Sequence, residues 1–293
     1  MDANADASAS IDSLWNYGDP LASEQKFRAL LAAGGHTDAF QGELLTQISR
    51  ACCLQRQYAA ARQALETALP LLRQDANRGY VRYLLEAGRL ANDQGDLPRC
   101  LALFESAWQL ACECRQDFLA VDAAHMLGYA QAGAPSIVWH ERAIQKSQAS
   151  ADPKAKNWLF TLYSNLGKKY VNLGNFTAAR DAYQQGMDIG VARSLPAQRL
   201  RQATWNLAFV WRKAGNTAQA LAMQTELLRA LDDPNDDLTG YIYEELAECH
   251  LEMRQAAAAS AYFAKAYAYH KVDPWFPPLE TARLERIKKL AQA

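Results

Sequence analysis

A two-helix pattern returns six times along this chain at nearly equal spacing, and it restricts the fold more than any other feature. The clearest copy runs Tyr163-Ser164-Asn165-Leu166-Gly167-Lys168-Lys169-Tyr170, turns at Gly174-Asn175, and then places Ala179, Tyr183 and Gly186 at small-x3-aromatic-x2-small spacing. Small residues fall where two helices touch and large ones fill the gaps between pairs, so side-chain size carries the pattern. Its first position recurs at Leu45, Leu84, Ala124, Tyr163, Thr204 and Tyr243, in steps of 39, 40, 39, 41 and 39 residues. A repeat of this kind builds an all-α solenoid that grows in one dimension and needs no second core, so the 293 residues read as one repeat array.

The second-helix triplets keep register: Ala61, Leu65, Ala68; Cys100, Phe104, Ala107; Ala179, Tyr183, Gly186; Ala220, Gln224, Leu227; and Ala259, Phe263, Ala266. The third copy keeps Leu127-Gly128 but begins its second helix four residues early, with Ser136, His140 and Ala143 behind Gly133-Ala134-Pro135, so a bend is expected there. Gly95-Asp96, Gly174-Asn175 and Gly215-Asn216 share one template position, where glycine stops a helix in the left-handed conformation and Asp or Asn caps the next. Arg56 and Arg254 replace that glycine in the first and last copies.

The expected organisation is disorder over 1–10, an N-terminal helix within 11–39 starting at Pro20 and stopped by Gly34-Gly35, repeats over 40–272, and a capping helix within 273–293. The helix pairs are expected near 40–72, 78–113, 118–149, 153–192, 196–230 and 236–270.

A formal charge of -1 without a basic cluster speaks against nucleic acid as partner. No apolar run approaches the ~20 residues that cross a bilayer, so no membrane role is expected, and an N-terminus without basic and apolar regions suggests a cytoplasmic protein. Cys112-Glu113-Cys114 has no second half for a zinc site, so the six cysteines read as reduced, mostly buried small residues; neither metal nor cofactor is expected. Phosphate-loop, dinucleotide, nucleophile-elbow and zinc-protease motifs are absent, and His140 and His250 stand at packing positions, so no enzyme is expected.

The aromatic, Leu-Gly and small-residue spacing is the tetratricopeptide signature, which implies a right-handed superhelix of about six helix pairs with an N-terminal orphan helix and a C-terminal cap. The ~40-residue period, with Asn165-Leu166-Gly167 and Asn206-Leu207-Ala208, resembles the long-repeat class typified by kinesin light chains; the likeness covers about 45–270. There the asparagine before Leu-Gly or Leu-Ala grips the backbone of an extended peptide in the concave groove. That role carries over to Asn165 and Asn206; Gln47, Glu86, Met126 and Glu245 stand at the same place in the other copies.

An amide offers both a donor and an acceptor to an extended peptide. One turn onward the inner face adds Arg50, Arg89, Tyr129, Lys168, Phe209 and Glu248, with Trp205, Arg212, Glu244 and Glu252 nearby. The groove would then be basic toward the first repeats and acidic in the last, matching a ligand with carboxylates toward the first repeats. The plainer alternative is that these charges solvate the inside of the superhelix and pair locally.

A non-catalytic protein- or peptide-binding scaffold is the expected function. A peptide-sensing regulator like the bacterial quorum-sensing receptors, lacking a DNA-binding domain, is the alternative, since some 40 residues precede the first repeat. A third is self-assembly: Tyr262, Phe263, Tyr267, Tyr269, Trp275 and Phe276 pack the cap or else form a homodimer interface.

Overall fold

The computed structural model describes residues 11–72, 78–231, 233, 236–274 and 276–293; the disorder expected over 1–10 and the place of Trp275 lie outside them. Residues up to Leu159 form one compact unit and residues from Phe160 a second. Among the described residues there is no strand, and no helix is long and apolar enough to cross a membrane.

The first unit holds α1 (Pro20–Ala33), α2 (Asp38–Leu54), α3 (Tyr58–Ala68), α4 (Arg78–Asp93), α5 (Leu97–Glu113), α6 (Asp117–Ala130), α7 (Gly133–Ala149) and the short α8 (Pro153–Lys156). The second holds α9 (Leu159–Asn172), α10 (Phe176–Ala192), α11 (Ala197–Lys213), α12 (Thr217–Arg229), α13 (Thr239–Glu252), α14 (Ala256–His270), the short α15 (Phe276–Leu279) and α16 (Thr281–Leu290). Sequence neighbours pack against each other, and the first helices of successive pairs also touch, α2 with α4, α4 with α6, and α11 with α13. The first helices therefore form a layer of α2, α4 and α6 in the first unit and a pair of α11 and α13 in the second, which places their polar residues side by side.

Glycine–ring contacts explain the size pattern. A Cβ on Gly88 would stand 2.6 Å from the Phe104 ring, on Gly128 2.3 Å from the His140 ring, and on Gly167 2.7 Å from the Tyr183 ring. In each pair the first helix is glycine where the second presents its bulky side chain, so the helices approach closely over a filled interface. His140 is buried here, its Nδ1 2.8 Å from the Ser136 carbonyl, as its packing position implies. The buried cysteines act as small apolar fillers: burial pushes the thiols of Cys52 and Cys100 up to about 11 and those of Cys53 and Cys249 to about 12.

The turns follow from backbone sterics. Gly95, Gly174 and Gly215 have φ of 78°, 70° and 87°, and Arg56 and Arg254 adopt the same left-handed state at 59° and 60°. All five turns close with the same bond, from the amide after that residue to the carbonyl five positions back, such as Asp96 N–H to the Ala91 oxygen at 2.9 Å and Gln57 N–H to the Cys52 oxygen at 2.9 Å. Asp96 and Asn175 then cap α5 and α10, at 3.2 and 3.1 Å, whereas Asn216 stands at the cap of α12 without a side-chain bond. A side chain in the left-handed region costs roughly 1–2 kcal/mol, partly offset by glycine's freedom when unfolded. Arg56→Gly and Arg254→Gly are each expected to stabilise by about 0.5–1 kcal/mol, read as a higher urea midpoint; an unchanged midpoint would contradict the strain.

The shorter connection in the third copy is also visible: α6 ends at Ala130 and α7 starts at Gly133, whose φ is 65°. In the second unit Gln224, fully buried on α12, leaves both amide atoms without a hydrogen-bond partner among the described residues.

Candidate binding sites on the inner helices

The first helices of the first unit enclose a cavity of about 430 Å³. Gln47 and Arg50 on α2 enter it from one side, Arg82, Glu86 and Arg89 on α4 from the middle, Phe118 and Asp122 on α6 from the other, with Lys154 and Trp158 at the α8 end. The spacing of the α4 residues at i, i+4 and i+7 puts all three on one stripe. Residues 11–17, ahead of α1, complete the wall with Asp12, Trp15 and Tyr17.

Most of the charge is paired. Arg89, 6% exposed, donates to both carboxylate oxygens of Asp122, at 2.5 and 2.7 Å, and to Glu86 at 2.6 Å. Burial alone would raise the Asp122 carboxyl, but the Arg89 guanidinium outweighs it and holds the group below its ordinary range. Arg50 reaches Glu86 at 3.9 Å, too far for a hydrogen bond, and its side chain keeps 27% of its exposure.

At the other end Asp12 accepts from Arg78 at 2.9 Å, from Arg82, and from Lys154 at 2.7 Å. Glu43 shares the two arginines, 2.8 Å from Arg78 Nε and 3.0 Å from Arg82 Nε. Burial pushes the Asp12 carboxyl up, yet Arg82, Lys154 and Arg78 together hold it well below its ordinary value of 3.8. A carboxyl depressed in the fold stabilises it above that ordinary value, and this share is lost as the pH falls through the depressed one. The segment is pinned further where Trp15 Nε1 donates to Gln47 Oε1 at 2.8 Å and Asn16 N–H to Ser23 Oγ at 2.8 Å.

The sequence-derived residues are distributed between the units. Gln47, Arg50 and Arg89 converge on the cavity, whereas Tyr129, on α6, is 61% exposed and outside its lining. In the second unit Asn165 on α9 is half-buried, Lys168 is exposed, and half-buried Asn206 on α11 lies 3.5 Å from the Gln202 amide. Phe209 stacks on Trp205 at 5.8 Å, with the Arg212 and Lys213 cations each 5.7 Å from its ring. Arg212 is 4% exposed and makes two 2.9 Å bonds to Glu245 and one of 2.7 Å to Glu252.

Glu248 is taken by Arg286 of α16, and Glu244 by Arg283 at 2.7 and 2.8 Å. The acidic face of the last repeat is thus covered by the chain's own final helix. Tyr262, Phe263, Tyr267 and Phe276 pack in the core beneath it.

Asp12, Trp15, Tyr17, Arg82, Asp122, Lys154 and Trp158 belong to the cavity and escaped the sequence reading. Arg82 sits one turn before the Glu86 position and could have been found by helical spacing. Asp12 and Lys154 are 142 positions apart, and no local pattern pairs them. Among the described residues no group of three or more His, Cys, Asp or Glu side chains could hold a metal ion.

No family model matches the chain. Over 117 residues, 40% of this chain, it is 26% identical to outer dynein arm-docking complex subunit 4 of Mus musculus, and it spans only 18% of that protein. Among solved structures it is similar to a signal transduction ATPase with numerous domains and a tetratricopeptide repeat sensor from Pyrococcus horikoshii, with a TM-score of 0.71, 14% identity, and coverage of 92% of this chain and 41% of that one. The apo quorum sensor NprR of B. thuringiensis gives a TM-score of 0.62 at 15% identity, covering 99% of this chain and 82% of the sensor. NprR in complex with its cognate peptide NprX gives 0.51 at 16%, covering 99% and 85%. At such identities the likeness concerns architecture and does not bear on the kinesin light-chain class. Joined to the glycine–ring packing and the layer of first helices, it gives this chain the tetratricopeptide-repeat fold.

Proposed function

We propose that this chain is a non-catalytic scaffold that binds an extended peptide along its first helices. The observation that carries the reading is the first unit's cavity, where an amide (Gln47), an incompletely paired cation (Arg50) and aromatic walls (Phe118, Trp158) converge. Extended backbone requires donors and acceptors, and an acidic side chain or terminal carboxylate suits Arg50. In the second unit Asn165 and Asn206 supply the amides, flanked by Lys168 and Phe209, with Tyr129 of the first unit as a further groove position; Arg212 and Glu248, paired with Glu245 and Arg286, shape the wall instead of meeting the peptide. A peptide-sensing regulator is the second reading; it is favoured by the likeness over 99% of this chain to a quorum sensor in complex with its cognate peptide.

Selection of random dodecapeptides on the full chain, wild type and Asp12→Asn, tests the reading. Acidic peptides are expected to enrich, with affinity falling at least tenfold in Arg50→Gln for those held by the first unit and in Asn165→Ala with Asn206→Ala for those held by the second, helicity and melting unchanged. No enrichment on either chain, or equal binding by all variants, sinks it.

A further inference from the structure

We infer that residues 11–17 are an intramolecular ligand of the first unit's cavity, a displaceable strap whose Asp12 carboxylate holds the Arg78, Arg82 and Lys154 cations that a second carboxylate of an acidic peptide, bound beside Arg50, would otherwise take. The inference rests on the peptide-binding reading above and adds its regulation.

Arg78, Arg82 and Lys154 converge on the single carboxylate of Asp12, and with the strap lifted Arg78 and Arg82 would share Glu43 while Lys154 would lose its Asp12 partner. Buried Arg82 and half-buried Arg78 left in that imbalance call for an anion, and the chain provides it from a segment remote in sequence. The strap's other contact is the inner-face amide of the first repeat. Trp15 donates to the side-chain oxygen of Gln47, the amide that occupies the peptide-gripping position of the first repeat, so the strap engages the group a ligand backbone would use. After one helical turn at 11–13 the segment runs without regular structure to Asp19, laid across α2 and α4 by side-chain contacts, and Tyr17 stacks on Trp15 at the cavity mouth while 68% exposed.

Ile11, fully buried in the first core, anchors the strap and makes the closed state dominant. Because strap and cavity belong to one chain, their effective concentration is of order millimolar, and a free peptide of equal intrinsic affinity competes poorly until the strap is weakened.

A fluorescein-labelled nonapeptide with the sequence of residues 11–19, added to the full-length chain, tests this by anisotropy. Asp12→Asn with Trp15→Ala is expected to bind it at least tenfold more tightly than wild type, and a peptide carrying Asn for the Asp12 aspartate is expected to bind neither. Hydrogen exchange of the amides at 11–17 is expected to be slow in wild type, fast in the double variant, and faster in wild type at excess peptide. Circular dichroism verifies the fold, and Asp12→Asn alone, which preserves shape, serves if the double variant fails to fold. Equally fast exchange at 11–17 in wild type and variant overturns the strap. So does equal binding of the selected dodecapeptides by both chains, which leaves the peptide-binding reading standing. A released strap with no peptide bound by either chain removes the peptide-binding reading, and the strap's role with it.

Discussion

Arg89→Ala is expected to lower the stability of the first unit by about 3–5 kcal/mol, the cost of breaking a buried ion group by removing one partner. Arg89, Glu86 and Asp122 are nearly or fully enclosed, and Arg89 makes three bonds of 2.5–2.7 Å to the two carboxylates. Without the guanidinium the Asp122 carboxylate lies in a low-dielectric wall, and burial raises its affinity for protons above that of the unfolded chain. The variant therefore binds more protons folded than unfolded, so its deficit shrinks as the pH falls from 7 toward 5. Arg89→Met with Glu86→Leu and Asp122→Leu removes all three charges and is expected to recover most of the loss. Urea denaturation at both pH values checks the set. A loss below about 1 kcal/mol for Arg89→Ala would mean that water in the cavity solvates the carboxylates, and the wall would then be less dry than its burial implies.

Phe104→Ala is expected to cost about 3–5 kcal/mol, and its interaction with Gly88 should reverse the effect of a second change. Phe104 is fully buried, and a methyl on Gly88 would come within 2.6 Å of its ring. In the wild type Gly88→Ala gains about 1 kcal/mol of helix propensity but overpacks the ring, which costs about 1–3 kcal/mol, so it destabilises on balance. In the Phe104→Ala background the ring is gone, and the same substitution keeps only the propensity gain and fills part of the void. A double-mutant cycle reads the coupling directly. If Gly88→Ala has the same sign in both backgrounds, the helices do not approach through this glycine.

These two predictions bear on different layers of the repeat. Gly88 and Phe104 form the seam between the helices of one pair, which any sequence with this repeat needs. Arg89, one residue on, faces the other way toward the cavity and joins α4 to α6. Adjacent residues on one helix thus separate fold from candidate function, because successive side chains on a helix diverge by about 100°.

The small-residue spacing, the left-handed turns and the Cys100 packing position were legible in the sequence, because each depends on contacts within one repeat and recurs, whereas the facing of Gly88, Gly128 and Gly167 onto bulky rings of their own pair, where large residues were expected between pairs, came from the structure. The departures had local causes as well. Arg56 and Arg254 take the conformation of the missing glycine because the turn's hydrogen bonds fix the backbone whichever residue occupies it, while Asn216 occupies its cap position without making the cap bond.

The candidate site was legible only in outline. Helical spacing brought Gln47, Arg50 and Arg89 to one face, but spacing gives direction and not partners. Arg89 and Arg212 are spent on buried carboxylates of the next repeat, and Glu248 on the final helix, since charges on an enclosed face are stable only when paired.

The sequence by itself determined the all-helical repeat, its period, its turns and its close-packed seams, since these rest on residue size and backbone conformation within about 40 positions. Only the tertiary structure decided that the chain forms two compact units, that α16 covers the acids of α13, and that Asp12 lies among Arg78, Arg82 and Lys154. Those outcomes depend on charge pairing and burial between segments as much as 142 residues apart, where no periodicity links the partners and only the folded backbone brings them together.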